Sequence, residues 1–154
     1  MPRIYLSPSL QEYNLFVNGG TEEEYMNLIA DAMEPYLIAS GIEFTRNDPG
    51  QTLTEVINES NAGGYDLHLA LHSNAAPPSL AGQLRGTDVY YWYDSKWGKA
   101  AADIIAENFK EIYPDSNRVR AVPTSTLREL RRTYAPSVLV EVAYHDNPDD
   151  AQWI

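Results

Sequence analysis

Three ionisable residues stand where their neighbours would not ordinarily tolerate them. Glu141 interrupts the apolar run VLVEVAY, His72 ends the stretch YDLHLALH, and Glu22 opens an acidic triplet ahead of MNLIADAM. A buried carboxylate without a partner is costly, so Glu141 must either pair with an arginine or do chemistry. Two carboxylates and an imidazole around one cleft suit metal-assisted hydrolysis. Two or three N/O ligands hold an ion, an open position admits water, and the remaining carboxylate takes the water's proton.

The pair His68 and His72 poses a geometric question first. Four-apart histidines on a helix share a face and an ion, but on a strand they lie ~13 Å apart at ~3.3 Å per residue. LHLALH is nearly continuous in apolar character and is bounded by Gly-Gly and by SNAAPP, which marks a buried strand. His68 is therefore expected to be a core histidine bonded to backbone, and His72 to reach the strand's carboxyl end. Alternation places Asp66, His68, Ala70 and His72 on one face.

Glu22 is reached by extending backwards the apolar stripe of Met26, Ile29, Ala30, Met33 and Leu37, so it faces the sheet while Glu23 and Glu24 face solvent. Its plain alternative is an acid that merely favours a helix start. Thr21 is the expected N-cap, Gly41 the stop, and Pro35 a kink.

The remaining elements read as strands at 3–6, 42–45, 87–93 and 137–144. Helices are expected over TLTEVINESNAGG and KAAADIIAENFKEIY, and a last one begins in PDDAQWI. Strand and helix alternate, which predicts one α/β domain over residues 1–154: a mostly parallel twisted sheet with helices on both faces. In such sheets ligands bind beyond the strands' carboxyl ends, where His72 falls.

Composition narrows the partners. The net charge of -11 and the pI near 4.5 argue against nucleic acid and anionic membranes. There is no cysteine, hence no disulfide or thiolate metal site. No run approaches the ~18–20 apolar residues of a membrane span. MPRIYLSPS carries no signal-peptide core, so work outside the cytoplasm implies another export route or a removed leader. The oligomeric state is not legible.

In order, the stretches TEEEYMNLIADAM…L…G, TRNDP, YDLHLALHSNAA, RGTDVYYWY and APSVLVEVAYHDN make the chain resemble the zinc-dependent N-acetylmuramoyl-L-alanine amidases of autolysins, sporulation enzymes and phage endolysins. The resemblance implies a peptidoglycan hydrolase that cleaves the amide between N-acetylmuramic acid and L-alanine, at the cell wall or the extracellular side of a bacterium. It implies Glu22 and His72 as ligands of one Zn²⁺ and Glu141 as the catalytic glutamate, with Ala70 where the family's serine stands. The family usually opens with a strand followed by D-P-G-H-G-G, whose histidine is the third ligand; here the stretch is IYLSPSLQEYN, and no histidine precedes His68. Gln11 or a neighbour must substitute, or fewer protein ligands hold the ion. An amide oxygen is a poorer zinc donor than imidazole.

His145, in a loop and expected to be solvent-exposed, is the other candidate ligand. Asn74 and Arg85 are expected to line the cleft. The arginines at 118, 120, 128, 131 and 132 either meet stem-peptide carboxylates or form a solvated face. The chain stops at Ile154, early in the helix that usually completes this fold, which suggests truncation. The competing expectation is a metal-poor module that binds muropeptides or a partner without catalysis.

Overall fold

The computed structural model describes all 154 residues. Six strands form one sheet: β1 (Arg3–Pro8), β2 (Glu43–Arg46), β3 (Leu67–Asn74), β4 (Thr87–Trp92), β5 (Val119–Thr124) and β6 (Ser137–Tyr144). Five helices connect or follow them: α1 (Glu22–Ala39), α2 (Leu53–Gly63), α3 (Lys96–Ile112), α4 (Arg128–Arg132) and α5 (Pro148–Trp153). The order across the sheet is β2-β1-β3-β6-β4-β5. All neighbouring pairs are parallel except β4 with β6. The expected α/β architecture is therefore present, with one reversed pair of strands, β4 and β5, at one edge.

Local chemistry sets the helix ends. Thr21 Oγ1 caps α1 by accepting from Glu24 N–H, and Thr52 with Glu55 forms a reciprocal capping box on α2. α1 runs through Pro35 without ending. Gly41 follows it with φ +69°, the left-handed conformation that glycine adopts at no steric cost.

α1 and α3 cover one face of the sheet, where Leu6, Leu69, Leu71, Val138 and Val140 form the main core. Val138 and Val140 are 0% and 1% exposed, so each contributes ~1.5–3 kcal/mol by burial. The other face is thinner. There α2 and α4 cover Ala70 and Leu139, with Leu130 of α4 packed on them. That thin face is also the one to which His68, His72 and Glu141 belong by alternation.

Two elements were not legible in the sequence. β5 is the edge strand VRAVPT, whose charge and proline disguise it. α4 has five residues, too few to show a helical period.

Candidate active site

The carboxyl ends of β1, β3 and β6 meet the first turn of α1 along one edge of the sheet. Glu22, the first residue of α1, is 1% exposed. The preceding loop folds back to hold it there. Asn14 C=O accepts Glu22 N–H at 2.9 Å, and Phe16 stacks on Tyr25 with ring centroids 4.3 Å apart. Glu22 Oε1 lies 2.9 Å from His72 Nδ1 and accepts Ser73 N–H at 3.2 Å. Its Oε2 accepts Asn14 Nδ2 at 2.7 Å, and the same amide nitrogen donates to Gln11 Oε1 at 2.6 Å. Burial pushes the Glu22 carboxyl up, but the bond and charge of His72, with Asn14 and Ser73, overcome it and hold it below the usual range.

Behind His72 lies a residue that the sequence did not single out. Glu129 of α4 is 5% exposed and points into the thin face. Its Oε1 accepts Ser7 Oγ at 2.6 Å and lies 2.7 Å from His68 Nε2, while its Oε2 lies 3.6 Å from His72 Nε2. His68 is fully buried as expected, but its partners are side chains rather than backbone: Glu129, and Ser60 of α2 at 2.9 Å from Nδ1. Tyr5 stacks on its ring at 5.3 Å. Burial pushes Glu129 up, yet the bonds to His68 and His72 hold it well below the usual carboxylate range.

His72 thus stands between two carboxylates. Burial alone would push it down. The Glu129 carboxylate facing Nε2 and the bond to Glu22, with the charge of Glu141, push it up to about 10. Without a metal it is an imidazolium.

Glu141 is the register partner of His72 across β3 and β6. The reversed β4 brings its amino end to this same edge, so Asp88 is the register partner of Glu141 on the other side. Arg120 claims Asp88, with Nη2 at 2.9 Å and Nε at 3.1 Å. Glu141 Oε2 is buried and has no hydrogen-bond partner. Burial raises the Glu141 carboxyl, His72 lowers it, and Glu22 and Asp88 raise it, for a value of about 7. A base with that value at neutral pH, one strand from an imidazole, is what general-base catalysis requires.

The other expected residues fall as follows. Gln11 is joined to Glu22 only through Asn14. Asn74 is half-buried, and its Oδ1 accepts Ala75 N–H at 2.9 Å. Arg85 stands away from the Glu22–His72 pair and faces the acids of α5, with Nε 3.5 Å from Asp150 and Nη1 3.6 Å from Asp149. His145 is not solvent-exposed: it is 6% exposed, 2.8 Å from Ser73 Oγ through Nδ1, and stacked on Phe16. The reason is the 9–21 loop, which folds over it; Val17 N–H donates to its carbonyl at 3.0 Å.

A cleft of about 270 Å³ opens onto His72 and Glu129, walled by Gln11, Tyr13, Thr52 and Leu53. A larger hollow of about 510 Å³ at the β2 edge holds only the partly exposed Arg3–Glu43 pair as charged groups, and no buried acid or base converges on it.

Glu22 Oε1 and His72 Nδ1 are hydrogen-bonded at 2.9 Å, and donors ~2.0–2.2 Å from one tetrahedral ion stand ~3.3–3.6 Å apart, so a parting of less than ~1 Å would let the pair hold a divalent ion. No group of three His, Cys, Asp or Glu is placed to hold one ion, so the pair lacks a third ionisable ligand.

Known proteins resemble this chain in sequence and in fold. The chain is 30% identical over 155 residues to the N-acetylmuramoyl-L-alanine amidase LytC of Bacillus subtilis, covering 96% of this chain and 30% of that protein. It is 29% identical over 135 residues to the probable cell wall amidase LytH of Staphylococcus aureus, covering 86% of this chain and 43% of LytH. The chain thus spans less than half the length of these curated relatives. The solved structure of the N-acetylmuramoyl-L-alanine amidase AmiC2 of Nostoc punctiforme superposes with a TM-score of 0.85 at 18% identity, covering 98% of this chain and 84% of that one. A family model described as N-acetylmuramoyl-L-alanine amidase matches residues 12–154. The chain belongs to the N-acetylmuramoyl-L-alanine amidase family.

Proposed function

We propose that this domain hydrolyses the amide between N-acetylmuramic acid and L-alanine in peptidoglycan, acting at the cell wall. The observation that carries the reading is Glu141, a half-buried residue beside His72 whose Oε2 is buried without a hydrogen-bond partner and whose proton affinity lies near neutrality. The family is zinc-dependent. Here Glu22 and His72 would hold the ion, with Gln11 Oε1 as the amide donor. When bound, the ion polarises the scissile carbonyl and acidifies a water.

Each side chain then has a task. Glu141 takes the proton of the attacking water and returns it to the departing amine nitrogen of L-alanine. Glu129, facing His72 Nε2, orients the ring so that Nδ1 is presented beside Glu22, the work of an outer-shell carboxylate. Asn14 holds Glu22 and Gln11 toward one another.

Purified protein supplied with zinc should release L-alanine amino termini from peptidoglycan, and Glu141→Gln should not. Equal release by both would refute the reading. The lack of a third ionisable ligand favours one competing reading, a module that binds muropeptides without catalysis. Metal analysis separates the two: a stoichiometric ion supports the enzyme, and a metal-free protein that binds muropeptides supports the module.

No helix is long and apolar enough to cross a membrane.

A further inference from the structure

The chain has 11 lysines and arginines among 22 acids, so nearly every cation has carboxylates to choose from. Seven of the eleven lie within 4.0 Å of one: Arg3, Arg46, Arg85, Lys99, Lys110, Arg118 and Arg120. Lys96 instead sits over the ring of Trp97 at 5.2 Å. The other three are Arg128, Arg131 and Arg132, all on α4, and none has an acidic partner. They are also neighbours in space. All three line one groove of about 440 Å³ between α2 and α4, and no acid lines it.

The groove is built rather than incidental. The Arg128 guanidinium donates to Thr54 Oγ1 at its upper end. Lower down, Asn61 Nδ2 donates to Arg132 C=O at 2.9 Å, and Tyr134 N–H donates to Asn61 Oδ1 at 2.8 Å. Those bonds fix the spacing between α2 and the arginine-bearing α4. Holding three like charges together without a counter-ion costs free energy, and an anionic ligand would recover it.

The groove also adjoins the cleft. On α2 the cleft wall ends at Leu53 and the groove begins at Thr54; on α4 Glu129 faces the cleft and Arg128 the groove. A ligand seated in the cleft therefore needs only a short extension to enter the groove. Each residue of an extended peptide advances ~3.3 Å.

We propose that this groove is a subsite for carboxylates of the peptide that hydrolysis releases, received by Arg128, Arg131 and Arg132. It rests on the amidase reading above. Guanidinium forks bind planar carboxylates through two parallel bonds, which is why arginine rather than lysine suits the task. Phosphodiesters of other wall polymers share the anionic chemistry. The continuity of groove and cleft favours the substrate's own peptide.

The test compares muropeptides whose stem carboxyls are free with the same molecules amidated. The wild-type protein should favour the free acids about tenfold in kcat/KM, chiefly through KM, and the preference should shrink as salt rises. Arg131→Gln with Arg132→Gln should abolish the preference while hydrolysing the amidated substrate at the wild-type rate. Equal treatment of both substrates by the wild type would overturn the proposal. So would a double variant that keeps the preference, or one whose only loss is affinity for phosphate-bearing walls. If no preparation cleaves either substrate, the amidase reading has failed instead. Calorimetry with a synthetic stem peptide then decides the groove alone. Binding weakened about tenfold by the double substitution or by amidation supports it, and unchanged binding refutes it.

Discussion

Truncating Glu129 to alanine tests whether α4 does more than close the thin face of the sheet. The change removes the acceptor of two short buried bonds, to His68 Nε2 at 2.7 Å and Ser7 Oγ at 2.6 Å. It leaves His68, 0% exposed, with Ser60 as its one hydrogen-bond partner. Hydrogen bonds to a charged group are worth ~1.5–3 kcal/mol each, and removing one partner of a buried charged network costs ~3–5 kcal/mol. A domain of this size is stable by ~5–15 kcal/mol, so the variant should remain folded at room temperature. Its melting temperature should fall by roughly 6–20 °C, at ~2–4 °C per kcal/mol. Glu129→Gln keeps the shape and one acceptor oxygen, and should lose about half as much. Because the folded-state pKa of Glu129 is depressed, its stabilisation is complete above the ordinary carboxyl value of 4.5 and is lost as pH falls through the folded value. The gap between wild type and alanine variant should therefore narrow from pH 7 to pH 3. Thermal melts by circular dichroism at both pH values read this directly. A gap below ~0.5 kcal/mol at pH 7, or one that widens in acid, would refute the reasoning.

Four further outcomes are expected. Glu141→Gln should lower hydrolysis by ~10²–10⁴, the range for a lost general base, with zinc affinity retained. The raised folded-state value of Glu141, about 7 against 4.5, adds stability below 4.5 that is lost as pH climbs through 7. The metal-free glutamine variant should thus gain on wild type as pH rises from 4.5 to 7 in denaturant titrations and keep that gain above it, and a constant difference across pH 4.5–7 would contradict that. His72, raised to about 10 from 6.5, stabilises the metal-free fold below 6.5 and loses that contribution as pH rises through 10. Zinc uptake at pH 8 should then release about one proton from His72, visible by calorimetry in buffers of differing ionisation enthalpy. Asp150→Ala should cost ~3–5 kcal/mol in a urea melt, since its fully buried carboxylate accepts Gly86 N–H at 2.9 Å, Tyr144 N–H at 3.0 Å and Tyr113 Oη at 2.5 Å.

What the sequence disclosed follows from what periodicity can carry. Glu22, His72 and Glu141 each break a regular apolar pattern, so the pattern itself points to them, and the structure sets His72 beside both acids. Glu129 breaks no pattern: it sits in LRELRR, flanked by arginines, on a helix too short to have a period. Its burial depends on how α4 crosses the sheet, a tertiary fact. Strand direction was hidden for the same reason. A sheet read as mostly parallel sends the start of β4 to the far edge, and only the reversal brings Asp88 beside Glu141. His145 was misjudged because loop position says nothing of another loop lying over it.

The network behind His72 also bears on when the site comes into being. His72 meets Glu22 across 50 residues, His68 meets Glu129 across 61, and Ser7 meets Glu129 across 122. Contacts that distant in sequence form late and slowly, because closing long loops must precede any gain from them. No fragment that lacks α4 or β6 holds the whole arrangement, and until both have emerged a nascent chain can form only part of it, such as the Glu22–His72 pair. A chain cut between β3 and α4 would lose Glu129 from behind His72 and Glu141 from beside it in a single event.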